Sequence, residues 1–151
     1  MSGKKPFEIV TEVEIDGTTA EVWAELIDFG SFASWNPFMI EASGDAEIGS
    51  RLELRMQPPG GSAMTFRPTV TEAADAKRLE WLGSLLVRGL FDGRHRFELE
   101  DTGSGTRFVH SEQFTGLLVP LLRRSLDTKT RAGFEAMNAA LKERVESLRA
   151  L

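Results

Sequence analysis

Two periodicities divide the chain. From Phe7 to Gly116 apolar residues alternate with polar ones in a series of short runs, and from Gly116 to Leu148 they recur every three or four positions. The first pattern predicts half-buried strands and the second a long amphipathic helix. In the first run Phe7, Ile9, Thr11, Val13 and Ile15 share a face opposite Glu8, Glu12 and Glu14, and Asp16-Gly17 ends it. A short helical stretch follows, with Thr18 or Thr19 as its cap, Val22, Trp23, Leu26, Ile27 and Phe29 on its apolar side, and Gly30 as its expected stop. Pro37 pushes Asn36 out of the helical region and predicts a turn into the next strand.

Further strands are expected over 38–43, 51–57, 64–70, 79–87, 91–100 and 106–116, separated by turns such as Pro58-Pro59-Gly60-Gly61. Leu52, Leu54 and Met56 should face inward, and Arg55 and Arg67 outward. Pro68 predicts an edge position or a bulge. In the last segment Leu118, Leu122, Leu126, Phe134, Met137, Leu141, Val145 and Leu148 form one stripe, with Pro120 in the first turn. A helix over 116–148 would be about 48 Å long, against about 33 Å for a ten-residue strand. It must cross a sheet diagonally or overhang it. The fold class is therefore α+β: a curved antiparallel sheet of about seven strands wrapped around a long C-terminal helix, with a short helix pair after the first strand. No linker or repeat interrupts this order, so residues 1–151 are expected to be one domain.

Composition narrows the function. The chain has 27% charged residues, a net charge of −5 and no cysteine, which excludes disulfides and thiol chemistry and gives no reason to expect nucleic acid. Residues 117–151 hold seven Lys/Arg against four Asp/Glu, whereas the preceding 116 hold 11 against 19. A basic helix face attracted to an acidic sheet explains that split, and a membrane-surface role is a second explanation. No apolar run approaches a membrane span, and Met-Ser-Gly-Lys-Lys-Pro has no apolar stretch after its charges, so no secretory signal or integral membrane association is expected. The default location is cytoplasmic.

The order of elements resembles the helix-grip superfamily of START-related and Bet v 1-like domains, in particular its bacterial polyketide cyclase/dehydrase-type group, SRPBCC. The local likenesses are Asp16-Gly17-Thr18-Thr19-Ala20-Glu21-Val22-Trp23, the Trp35-Asn36-Pro37-Phe38 step, and Gly105-Thr106-Arg107 leading to His110 and Phe114-Thr115-Gly116. The resemblance implies a deep apolar cavity between sheet and helix that holds a small lipophilic molecule (a lipid, a polyketide or a quinone-like compound). Some members of that superfamily are cyclases and many only bind.

The final hairpin carries the candidate chemistry. His95 shares a face with Phe91, Gly93, Phe97 and Leu99, and His110 with Thr106, Phe108, Glu112 and Phe114. If Leu99 opposes Thr106, then His95 opposes His110 and Gly93 opposes Glu112, with register shifts of two as the competing arrangements. His95, His110 and Glu112 are thus candidate acid/base groups able to enolise or protonate a carbonyl compound. The alternative is that they are satisfied polar groups beneath the helix. A two-histidine, one-carboxylate metal set is formally present but has nothing to supply a second shell, so no metal or other cofactor is expected. Candidate ligand-binding residues are Trp35, Met56, Met64, Phe66, Trp81, Phe97, Phe114, Phe134 and Met137, and the alternative for each is plain core packing. Gly133, in mid-helix, would leave room for ligand, a kink or close packing. Three functions follow: binding of a lipophilic ligand without turnover, a metal-free cyclase or dehydratase, or a protein–protein module using the sheet's wet face or the basic helix. The protein is expected to be a monomer or homodimer.

Overall fold

The computed structural model describes residues 6–151, and the charged segment Met1–Lys5, read above for a leader, lies outside them. The first alternating run forms β1 (Phe7–Ile15), with Ile9, Thr11 and Ile15 buried and the glutamates exposed or partly so. Thr18 then starts α1 (Thr19–Ile27). Its Oγ1 accepts the Glu21 N–H at 3.1 Å, and the Glu21 carboxylate accepts the Thr18 N–H at 3.2 Å. Each group satisfies a donor that the helix start would otherwise leave open.

The helix ends at Ile27, earlier than Gly30 predicts. Gly30 lies instead in a single 3-10 turn, Phe29–Ser31, that runs into α2 (Phe32–Trp35). The Asp28 carbonyl accepts both the backbone N–H and the hydroxyl of Ser31, which tightens the chain before glycine can act. The Asn36 Oδ1 accepts the N–H groups of Phe38 and Met39 at 3.0 and 2.9 Å, which fixes the turn across Pro37.

Among the described residues eight strands follow the antiparallel plan, in two hydrogen-bonded groups. One has the order β1-β8-β7-β6-β5, from β5 (Thr69–Ala74), β6 (Arg78–Ser84), β7 (Asp92–Asp101) and β8 (Thr106–Thr115) with β1. The other has the order β2-β3-β4, from β2 (Met39–Ser43), β3 (Glu53–Met56) and β4 (Met64–Phe66). The run expected as one strand over 64–70 is two, because Pro68 has no N–H to continue the ladder. The chain changes sheet there. An Arg51–Thr69 bridge and the bond from Leu52 N–H to the Pro68 carbonyl at 2.8 Å stitch the two groups into one curved wall.

The C-terminal rod runs from Val119 to Arg149 as α3 (Val119–Ser125), a π turn (Leu126–Thr130) and α4 (Arg131–Arg149). The expected stripe is its inner face: Leu126, Phe134, Met137, Leu141 and Val145 are buried, while Leu122 and Leu148 at its margins are exposed. Between residues 118 and 134 the inward positions step by four, and each step over-rotates a 3.6-residue helix by about 40°. The extra residue of the π turn takes up that drift. α4 packs over β1 and β8. Its basic residues reach the acidic first third of the chain, through Arg144–Glu25 at 2.8 Å and Arg149–Asp16 at 2.9 Å. The outer sheet face carries cross-strand ion pairs, among them Arg67–Glu53 and Glu80 between Arg94 and Arg96, and Arg55 is exposed there as expected.

Gly133 serves close packing. A Cβ on it would meet the Phe38 ring at 2.5 Å. Gly133→Ala would gain about 1 kcal/mol of helix propensity but lose about 1–3 kcal/mol to overpacking. The expected outcome is a net loss of about 1 kcal/mol, read as a lower urea midpoint at unchanged slope.

Candidate functional site

Between the sheet and the start of the rod lies a cavity of about 220 Å³. Its walls come from Leu54 and Met56 on β3, Met64 and Phe66 on β4, and Trp81 on β6. Phe91 and Gly93 line it before and within β7, and Glu112 and Phe114 on β8 complete the sheet side. Leu122, Ser125, Leu126 and Thr130 form its roof, over the π turn. Two neighbouring methionines and, with Phe38, five aromatic rings make an adaptable apolar lining. Glu112 is the one titratable side chain on that lining among the described residues.

The hairpin register places this carboxylate. β7 runs on to Asp101, which opposes Thr106, and the reversal uses Thr102–Gly105. The Asp101 Oδ1 accepts the Gly103 N–H at 2.8 Å, and Gly103 has a φ of 84° that glycine adopts freely. The pairing therefore differs by two residues from the one expected: His95 opposes Glu112, Phe97 opposes His110, and Leu99 opposes Phe108. A shift of two keeps every inward residue inward. Gly93, now diagonal to Glu112, leaves the space that the carboxylate fills, since a Cβ at 93 would collide with the Glu112 Oε2.

Behind Glu112 runs a line of buried polar groups. His95 and His110 are both fully buried, with their Nε2 atoms 2.7 Å apart. The His110 Nδ1 is 2.8 Å from the Asn138 Oδ1, the Asn138 Nδ2 donates to the Thr11 Oγ1 at 2.8 Å, and the Thr11 hydroxyl donates to the His110 carbonyl at 3.0 Å. These bonds set the tautomers by elimination. The Thr11 proton goes to the carbonyl, so its oxygen accepts from the Asn138 amide, and the Asn138 oxygen accepts from His110 Nδ1–H. The His110 Nε2 is then a lone pair, and it accepts from His95 Nε2–H. The His95 Nδ1 faces the Glu112 Oε1 at 3.2 Å, in an orientation too oblique for a hydrogen bond.

Burial holds the His110 imidazole well below its ordinary value of 6.5, and the neighbouring His95 adds to that effect against the opposing bond to Asn138. Both imidazoles occupy aromatic slots. His110 stacks on Phe134 with centroids 4.0 Å apart, and His95 stacks on Trp81 at 5.1 Å. The two Nε2 atoms point at each other with room for a proton only, which removes the two-histidine metal arrangement weighed above.

Of the candidate residues, Met56, Met64, Phe66, Trp81, Phe114 and Glu112 line the cavity. Phe97, Phe134 and Met137 do not: they are fully buried core residues packed behind it. Trp35 lies on the far side of α2, where its ring packs on Phe32 and its Nε1 donates to the Ser31 hydroxyl. His110 is separated from the cavity by His95 and cannot touch a ligand. Asn138 and Thr11 were not among the candidates, although an asparagine four residues after Phe134 on the apolar stripe was a visible signal. Phe38, Phe91 and the residues at the rod's start also escaped, since their positions depend on how loops fold over the mouth.

A family model described as polyketide cyclase/dehydrase and lipid transport matches residues 6–150. The chain belongs to this family. Among solved structures, the chain is similar to the di-domain ARO/CYC StfQ from the steffimycin biosynthetic pathway. The TM-score is 0.79 at 13% identity, covering 97% of this chain and 53% of that one. The domain thus spans about half the length of that protein. It is also similar to a START superfamily protein from Mycobacterium smegmatis, with a TM-score of 0.72 at 21% identity over 93% of this chain and 98% of that one. TTHA0849 from Thermus thermophilus is similar over 94% of this chain and 99% of its own, with a TM-score of 0.75 at 17% identity. At these identities the likeness is one of fold, and it agrees with the helix-grip architecture expected from the order of elements. Comparison with curated proteins returned no sequence match. Among the described residues no helix is long and apolar enough to cross a membrane.

The depressed His110 has a signed consequence. The folded state keeps this ring neutral while the unfolded chain takes up a proton below about 6.5, so stability is full above that pH and falls as pH drops beneath it. The expected slope approaches about 1.4 kcal/mol per pH unit between pH 6 and 5. Glu21, held low mainly by the Thr18 backbone bond, and Glu146, held low by Lys142, act only at lower pH. Urea unfolding across pH 5–8 checks this, and His110→Gln should remove the slope attributed to the ring.

Proposed function

We propose that this domain binds a compact lipophilic molecule in the cavity beneath the rod, with the ligand's one polar group set against Glu112. The observation that carries the reading is an open apolar cavity with a single carboxylate on its lining. Its volume of about 220 Å³ is below the ~300–1,000 Å³ usual for drug-sized ligands. A fused-ring aromatic, a quinone-like compound or part of an acyl chain fits better than a whole lipid. The family description and the likeness to an ARO/CYC protein support a polyketide-like molecule among these. The reading carries with it a cytoplasmic setting, a monomer or homodimer, and no bound cofactor. A protein–protein module calls for a cavity filled by side chains, and the cavity of about 220 Å³ supports the binding reading over it.

The proton line favours one second reading, a cyclase or dehydratase. Glu112, the only member that touches the cavity, would take a proton from the methylene beside a ligand carbonyl and then return it to the carbonyl oxygen. The product is the enol, and the proton count is unchanged. His95 positions Glu112. His110, Asn138 and Thr11 hold His95 in its tautomer.

Titration with the neutral fluorophore N-phenylnaphthylamine tests the binding reading. Saturable one-to-one enhancement is expected, and Ser125→Trp, at an exposed lining position, should weaken it about tenfold or more by filling the mouth, with the melting temperature unchanged. Equal affinity in that variant would place the probe elsewhere and end the reading. For turnover, proton exchange into a β-ketoacyl thioester should vanish in Glu112→Gln while fluorophore binding persists. Exchange that survives Glu112→Gln would remove the cyclase reading.

A further inference from the structure

Beside the cavity mouth two segments expose large aliphatic side chains. Leu86, in the turn between β6 and β7, is 83% exposed, and Leu117 and Leu121, where the rod begins, are 81% and 80% exposed. The segments are one unit. The N–H groups of Leu117 and Leu118 donate to the carbonyls of Gly89 and Leu90 at 3.1 and 2.9 Å. At Gly116, with a φ of 121°, a Cβ would come within 2.5 Å of the Leu90 carbonyl oxygen, so the two backbones meet with nothing between them. Leu86 has a φ of 66°, a left-handed conformation that costs leucine and not glycine. Stability alone gains nothing from a bulky, solvated, strained residue at that position. Exposed apolar clusters of this kind mark interaction surfaces.

The same segments concentrate positive charge. Within 85–91 and 117–131 there are five basic residues against one acid, Asp127, a balance of +4 in a chain of −5. Arg131 pairs with Asp127 at 2.9 Å, and the neighbouring Asp92 is engaged by the Gly89 N–H. Farther along the rod Arg144 and Arg149 pair with the domain's own acids. Arg123 lies over the Phe7 ring at 4.9 Å, while Arg88, Arg124 and Lys129 have no acidic partner among the described residues. An acidic protein approaches an anionic surface only through such a local excess.

We infer that this rim docks the domain on an anionic lipid surface. Leu86, Leu117 and Leu121 enter the boundary between headgroups and acyl chains, and Arg88, Arg124 and Lys129 face the lipid phosphates. Leu122 and Ser125, on the same segment, line the cavity, so docking brings its mouth to the membrane. A second copy of the chain is the competing occupant. Symmetric pairing through this face would set the same arginines against each other, which opposes it. The inference stands whether or not the cavity holds a ligand.

Co-sedimentation with phosphatidylcholine vesicles, with and without phosphatidylglycerol, tests it. Wild type is expected to bind the anionic vesicles about tenfold better than the neutral ones, and raised salt should weaken that binding. The triple variant Leu86→Ser, Leu117→Ser, Leu121→Ser should lose binding about tenfold or more, and Arg88→Gln with Arg124→Gln should lose the preference for anionic lipid. Both should keep the melting temperature and fluorophore binding of wild type, so failure here is distinguishable from failure of the cavity reading. If the triple variant does not fold, the charge variant alone decides. No preference for anionic vesicles, or binding unchanged in the variants, would overturn the inference. So would a dimer in solution that the leucine variant breaks.

Discussion

The structure depends on solving one electrostatic problem, the burial of two imidazole rings side by side away from the surface. A lone unsatisfied donor or acceptor there would cost on the order of 1–3 kcal/mol. The answer is a line of bonds that begins on β1 at Thr11, passes through Asn138 on α4, and crosses His110 to end at His95, whose Nδ1 lies 3.2 Å from the Glu112 Oε1 without a hydrogen bond. Because the line ties a first strand, a last strand and the terminal helix together, it holds the helix in one position over the sheet. It also delivers a carboxylate to the cavity wall, where an apolar lining would otherwise have nothing to orient a ligand.

Two glycines make that arrangement fit. Gly93 gives the Glu112 carboxylate its place, and Gly133 lets the Phe38 ring lie against the rod. Both sit next to the cavity, so its outline is set as much by missing side chains as by large ones. The aromatic rings around the histidines complete the enclosure, and their stacking keeps the imidazole planes from turning.

Much of this was legible in the residues. The alternation from Phe7 to Ile15, the inward parity of His95 and His110, and the stripe along the rod depend on periodicity alone, and all three are found as expected. The hairpin register did not follow, because it turns on how many residues Asp101 and Gly103 draw into the reversal. Parity cannot see a shift of two. The split at Pro68 was signalled, but its meaning, a change of sheet, depends on where β3 and β6 lie. Phe97, Phe134 and Met137 have the chemistry of a pocket and the position of a core, and only the tilt of the helix separates these. Trp35 shows the same limit for a short helix, where a four-residue element has no reliable face.

The π turn joins two parts of the rod with separate tasks. α4 is seated by buried contacts with β1 and β8, while α3 roofs the cavity and carries the exposed leucines. Loss of one residue from 126–130 would restore an ordinary helix and rotate everything before it by about 100° relative to α4. The contacts of α4 with β1 and β8 would be untouched, yet a different set of side chains would look into the cavity and out from its rim. A single-codon insertion or deletion there would thus re-face the cavity roof and its rim together while leaving the seat of α4 on the sheet in place.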